Sequence, residues 1–121
     1  MPWEFNSNEP IYLQLIKELE LKIVSGTYPP GSQLPGVRAL ALDAAVNPNT
    51  VQRAMQELER LGLVYAQRTS GRFVTEDQDK LHQIKMQLAA EQVTEFLNGM
   101  KKLGISVNDA MALLGSAEEK E

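Results

Sequence analysis

The chain contains no cysteine, so disulfide frameworks, thiolate metal sites and cysteine nucleophiles are excluded. It has one histidine, His82, which leaves no second imidazole for a His-rich metal cage or a paired acid/base site. No apolar run approaches the ~18–20 residues of a membrane span, and the start Met-Pro-Trp-Glu-Phe lacks the basic-then-apolar layout of a signal peptide. No membrane partner is therefore expected, and the expected location is the cytoplasm. A glycine-rich nucleotide fingerprint and a base–nucleophile constellation are also missing, which leaves hydrolytic or redox catalysis without support. What remains is 121 residues, 43% hydrophobic and 23% charged, a composition that suits one globular domain or a small domain with an appendage.

The net charge of −4 argues at first against a polyanionic partner, but its distribution along the chain matters more than its sum. Residues 1–35 carry two lysines and four glutamates, and residues 76–121 carry five lysines against nine acids. All five arginines (Arg38, Arg53, Arg60, Arg68 and Arg72) lie in residues 36–75, against Asp43, Glu57 and Glu59, giving +2 there. Arginine is the better residue for phosphate forks and guanine edges.

Apolar periodicity and punctuation place the elements. Ile11, Leu15, Leu19 and Ile23 recur every four residues after Pro10, with Ser7 or Asn8 as expected caps, and Gly26 ends this first helix. Tyr28-Pro29-Pro30-Gly31 is a turn. A short second helix begins near Val37, with Val37, Leu40, Ala41 and Ala44 as its apolar stripe. Asn47 as N-cap and Pro48 at the first helical position open a third helix, whose buried face is Val51, Ala54, Met55, Leu58 and Leu61, with Gly62 at its end. Strands are expected at 63–68 and 72–75, joined by Thr69-Ser70-Gly71. A long helix from Asp77 to about Lys102 and a last short helix carrying Val107, Ala110, Met111 and Leu114 follow, before a frayed Ala-Glu-Glu-Lys-Glu tail.

Two helices joined by a tight turn, with a hairpin after the second, are the parts of a winged helix-turn-helix. The third helix turns Asn47, Asn49, Thr50, Gln52 and Arg53 away from the core. Asparagine and glutamine pair bidentately with adenine, and arginine with guanine, so such a face distinguishes base pairs in a major groove, whereas a catalytic face would need titratable groups. Arg68 and Arg72, on either side of the wing tip, are expected to reach a minor groove or backbone phosphates, and Arg38 lies beside the free amides that start the second helix. Arg60 is expected to pair with Glu57 or Glu59. Trp3 and Phe5 are expected to pack against the first helix or a dimer partner. Asp77, Asp79 and His82 stand at a helix start, where carboxylates act as dipole partners, so neither a metal nor a cofactor is expected.

Pro10-Ile11-Tyr12, Gly26, Pro30-Gly31, Leu34-Pro35, Val37-Arg38, Val46-Asn47-Pro48-Asn49-Thr50-Val51, Glu57-Leu58-Glu59, Gly62 and Gly71-Arg72-Phe73-Val74 occur in an order and spacing that resemble a GntR-type transcriptional regulator. The resemblance covers about residues 5–114. The short C-terminal part, with Lys-Lys-Leu-Gly-Ile-Ser before the final helix, resembles the small YtrA subfamily. The resemblance implies a homodimer that binds double-stranded operator DNA, usually as a repressor. By position, it puts DNA contacts on Arg38, Asn47, Asn49, Thr50, Gln52, Arg53, Arg68 and Gly71. Gly36 stands where the family usually has serine, Thr69 where the wing usually has its first glycine, and Ala39 where an acidic residue is common.

The expected architecture is mainly α with a small β-hairpin: a winged helix-turn-helix over residues 1–76 and a short helical dimerisation or effector segment over 77–121. Leu81, Ile84, Leu88, Val93, Phe96, Leu97 and Met100 form a stripe that a lone helix cannot bury, and its simplest cover is the same stripe of a second subunit, with room for the first helix to contribute. A small-molecule effector would need a buried pocket of ~300–1,000 Å³, which has room to form, if at all, only between subunits or between the two domains. The rival reading is a winged-helix protein-interaction module without specific DNA binding, and affinity for DNA fragments at moderate salt separates the two.

Overall fold

The computed structural model describes residues 3–119. The chain divides into two compact units, Met1–Lys85 and Met86–Glu121. The first holds α1 (Ile11–Val24), α2 (Val37–Ala44), α3 (Pro48–Arg60), β1 (Val64–Gln67) and β2 (Gly71–Val74). The boundary falls inside α4 (Gln78–Lys102), and α5 (Val107–Glu119) lies in the second unit. Among the described residues, no helix is long and apolar enough to cross a membrane.

The first unit packs around Leu15, Leu19 and Ile23 of α1, Leu40 of α2, Val51, Met55 and Leu58 of α3, and Leu63 and Val74. Burying side chains of this size contributes ~1.5–3 kcal/mol each. Ile11, expected in the α1 stripe, is exposed, because the helix begins beside it and has no preceding turn to cover it. Neither Ser7 nor Asn8 caps α1. Pro10 occupies the cap position without a side-chain bond, and Gln14 instead ties down the incoming chain, donating to the carbonyls of Asn6 (2.9 Å) and Glu9 (2.8 Å). Trp3 stacks on Phe5 at 6.2 Å, donates to Asp43 Oδ2 at 2.8 Å and lies 4.6 Å from Lys22 Nζ, so this segment is held to α1 and α2.

The turn between α2 and α3 uses Ala45 at φ 56, ψ 48, a left-handed conformation that costs a non-glycine residue energy and here redirects the chain into α3. Val64 pairs with Val74, and Tyr65 stacks on Phe73 at 5.8 Å across the hairpin. β1 is one residue shorter than expected at each end, and β2 keeps its expected length but begins one residue earlier, at Gly71. Residues 31–34, read from sequence as loop, bond along the far edge of β2: Leu34 N–H donates to Arg72 O (2.8 Å) and Val74 N–H to Ser32 O (2.9 Å). Pro29, Pro30 and Pro35 flank this stretch and Gly31 opens it, which hides any strand alternation.

Asp77 caps α4, accepting from Lys80 N–H at 3.1 Å. In the second unit, Ser106 Oγ caps α5 by accepting from Asp109 N–H at 3.1 Å, and Ala110 is fully buried. The expected fraying from Ala117 does not occur up to Glu119, since α5 continues through the alanine and glutamates; residues 120 and 121 lie outside the described residues.

Candidate nucleic-acid interface

Asn47 Oδ1 accepts from Asn49 N–H at 2.8 Å, and Pro48 needs no bond for the amide hydrogen it lacks, so the start of α3 is fixed by its first three residues. Val51, Ala54, Met55 and Leu58 anchor the opposite face in the core. Asn47, Asn49 and Arg53 are exposed, and Thr50 and Gln52 are half-buried. With Asn47 Oδ1 occupied by its own helix, that side chain retains its two amide donors. Arg38, exposed in the first turn of α2, lines a shallow concavity of about 350 Å³ with Leu42, Val46 and Pro48. Leu42, which sequence periodicity leaves unassigned, is 85% exposed there.

Charge is arranged unevenly along α3. Arg60 bonds the Glu57 carboxyl and holds it below the ordinary glutamate range. Arg72 binds Glu59 with both side chains partly covered, at 21% and 32% exposure. The two acids toward the C-terminal end of α3 are thereby neutralised, and the N-terminal turn keeps the positive end of the helix dipole. Arg53 finds neither acid, and its Cζ lies 4.3 Å from the Tyr12 ring centroid on α1.

At the wing, residues 68–70 form the tip, closed by Ser70 N–H donating to Gln67 O at 3.2 Å. Arg68 is exposed, and among the described residues it joins no ion pair. Thr69 keeps a negative φ, so the absent family glycine imposes no backbone strain. Gly71 does need its freedom: φ is +104, and an added Cβ would stand 3.0 Å from Gln33 Nε2.

Arg72 is corrected in its contact. It flanks the tip opposite Arg68 as expected, but its guanidinium turns back to Glu59 and struts the wing against α3, because that carboxylate on α3 lies within reach of the strand. Sequence reasoning also missed Gln33, whose amide donates to Ser70 O across 37 residues, and Tyr12 beneath Arg53. The Pro10-Ile11-Tyr12 run signals the start of a helix but not the contact its third residue makes.

The apolar stripe of α4 is divided. Leu81, Ile84 and Leu88 are already buried within the single chain, so of the seven residues expected at a dimer seam these three are covered without a second subunit. Val93 is 55% exposed, and Phe96, Leu97 and Met100 are half-buried. With Met111 and Leu114 of α5, Val93, Phe96 and Leu97 border an open apolar groove of about 600 Å³.

A family model described as bacterial regulatory proteins, gntR family, matches residues 11–74. An uncharacterised HTH-type transcriptional regulator of Bacillus subtilis, YhcF, is 37% identical over 89% of this chain and 89% of its own. The HTH-type transcriptional repressor YtrA of the same organism is 34% identical over 84% of this chain and 78% of its own. A GntR family transcriptional regulator from Listeria monocytogenes superposes with a TM-score of 0.84 at 37% identity, covering 93% of this chain and 98% of that one. The AraR DNA-binding domain, solved in complex with operator ORX1, matches 62% of this chain and 99% of its own with a TM-score of 0.56 at 26% identity. The chain belongs to the GntR family and is a DNA-binding transcriptional regulator with a winged helix-turn-helix fold.

Proposed function

We propose that this chain is a YtrA-type repressor that acts in the cytoplasm as a homodimer on an inverted-repeat operator. The observation that carries the reading is the outward face of α3, where amides and one guanidinium stand free of acidic partners on a capped, core-anchored helix. In this reading Asn47, Asn49, Thr50, Gln52 and Arg53 meet base edges and nearby phosphates in a major groove, with Arg38 on the flanking backbone. Arg68 and Gly71 bring the wing to the adjacent backbone or minor groove, while Arg72 holds the wing rather than reaching from it. The AraR domain, similar to this one, is bound to an operator in its own structure, which supports DNA as the partner.

Dimerisation is assigned to the second unit, where Val93, Phe96 and Leu97 line the groove beside α5 and half-buried Met100 follows them on α4. Met111 at 63% and Leu114 at 54% exposure leave an apolar surface of the kind that association covers. Leu81, Ile84 and Leu88 serve the chain's own packing. The DNA-binding part accordingly takes in the first two turns of α4, through Lys85.

Selection from a random duplex library, followed by footprinting and light scattering, tests this function. The expected result is a two-fold symmetric site, with half-site centres about 10–10.5 base pairs or a multiple apart, bound by two chains. A monomer protecting a single half-site overturns the homodimer. No enrichment at moderate salt overturns specific DNA binding and leaves the interaction module.

A further inference from the structure

We propose that Tyr12 is the positioning residue for Arg53, a platform on α1 that orders the guanidinium before DNA arrives; the proposal rests on the base-reading role given to Arg53 above. Three observations meet here. The Arg53 Cζ lies over the Tyr12 ring at 4.3 Å. Glu57, one turn further along α3 and so placed to pair with Arg53, is instead held by Arg60. Tyr12 is half-buried at the start of a helix whose next turn, at Leu15 and Ile16, is anchored in the core, so the platform is fixed where Arg53 is exposed.

The physical consequence concerns both order and direction. An arginine on an exposed helix face loses side-chain freedom when it docks, and a stacked one has already lost part of it. A guanidinium held through its face keeps its N–H edges open, and those edges form the bidentate pair with guanine. The Glu57–Arg60 pair contributes by removing the carboxylate that would otherwise draw Arg53 down its own helix. Tyr12 thus affects specificity without touching a base, and its phenol hydroxyl is not required.

The test is a double-mutant cycle read by fluorescence anisotropy, on the duplex selected by the wild type and on a scrambled duplex, with thermal melts to set the working temperature below every variant's transition. Tyr12→Leu is expected to weaken binding to the selected duplex roughly two- to five-fold, the range an exposed cation–π contact carries, and to leave scrambled DNA unchanged. Tyr12→Phe is expected to bind like the wild type, and Tyr12→Leu to have no further effect in an Arg53→Ala background. Free of DNA, the Arg53 Nε–H proton resonance is expected to carry a ring-current shift that Tyr12→Leu removes and Tyr12→Phe keeps. Additive losses in the cycle, equal losses on both duplexes, a Tyr12→Phe defect matching Tyr12→Leu, or no ring-current shift each overturn the positioning role while the operator reading stands. A wild type that prefers no duplex overturns both.

Discussion

Asn47 has two duties that substitution can separate. Its Oδ1 accepts from Asn49 N–H at 2.8 Å, and its amide donors face outward at the start of the proposed recognition helix. Asn47→Ala removes the cap, at a cost of about 1 kcal/mol. For a unit of 60–100 residues, the range into which Met1–Lys85 falls, that lowers the thermal midpoint by about 4–8 °C. Asn47→Asp keeps the acceptor and adds a negative charge at the positive end of the dipole, worth ~0.3–1 kcal/mol, so its midpoint is expected at or above that of the wild type. On DNA the order changes. A carboxylate ~8 Å from a phosphate, at an effective dielectric of ~20–40, costs ~1–2 kcal/mol, or roughly 5–30-fold in affinity. Thermal melts and anisotropy titrations on the same preparations therefore predict one variant that is less stable and one that is stable but binds poorly. Equal destabilisation by both substitutions would refute the cap, and wild-type affinity in Asn47→Asp would refute an α3 N-terminus turned toward phosphates.

Gly71→Ala forces a side chain into φ +104 and against Gln33 Nε2, so a local cost of ~1–3 kcal/mol is expected, seen as faster hydrogen exchange at the hairpin amides; unchanged exchange would contradict it. Gly36→Ser is expected to raise the midpoint, since Gly36 caps α2 without a side chain, its φ of −67 suits any residue, and a Cβ meets nothing within 4 Å. The gain is a few tenths of a kcal/mol from the cap plus ~0.4–1 from reduced freedom of the unfolded chain, measured by chemical denaturation. Tyr28 gives a pH test. Burial first, and the Asp43 charge second, hold its phenol above the ordinary value, so the associated stability is complete below the unfolded value near ~10 and is lost as pH rises through the folded one. Tyr28→Phe should therefore show a shallower alkaline loss of stability than the wild type above about pH 10, and superimposable profiles would refute the assignment.

Local signals carried most of the α-helical architecture. The Asn47-Pro48 start, the spacing of Val51, Ala54, Met55 and Leu58, and the glycine that ends α3 are decided within one or two turns, so the chain writes them directly. The same holds for the hairpin, apart from its exact ends. The candidate site was legible in its residue types but not in their engagements. Nothing near Arg72 in sequence shows that its charge is taken by Glu59, 13 residues earlier, while Arg68 four residues before it stays open. Nor does local pattern reveal that Gln33 fastens the wing or that Tyr12 underlies Arg53. The α4 stripe reads as uniform along the chain, yet packing buries Leu81, Ile84 and Leu88 and leaves Val93 in solvent. Caps and helical periods depend on backbone geometry over neighbouring residues. Which arginine is free and which apolar face is covered depends on the groups that distant segments bring within a few ångströms, and only the folded chain decides that.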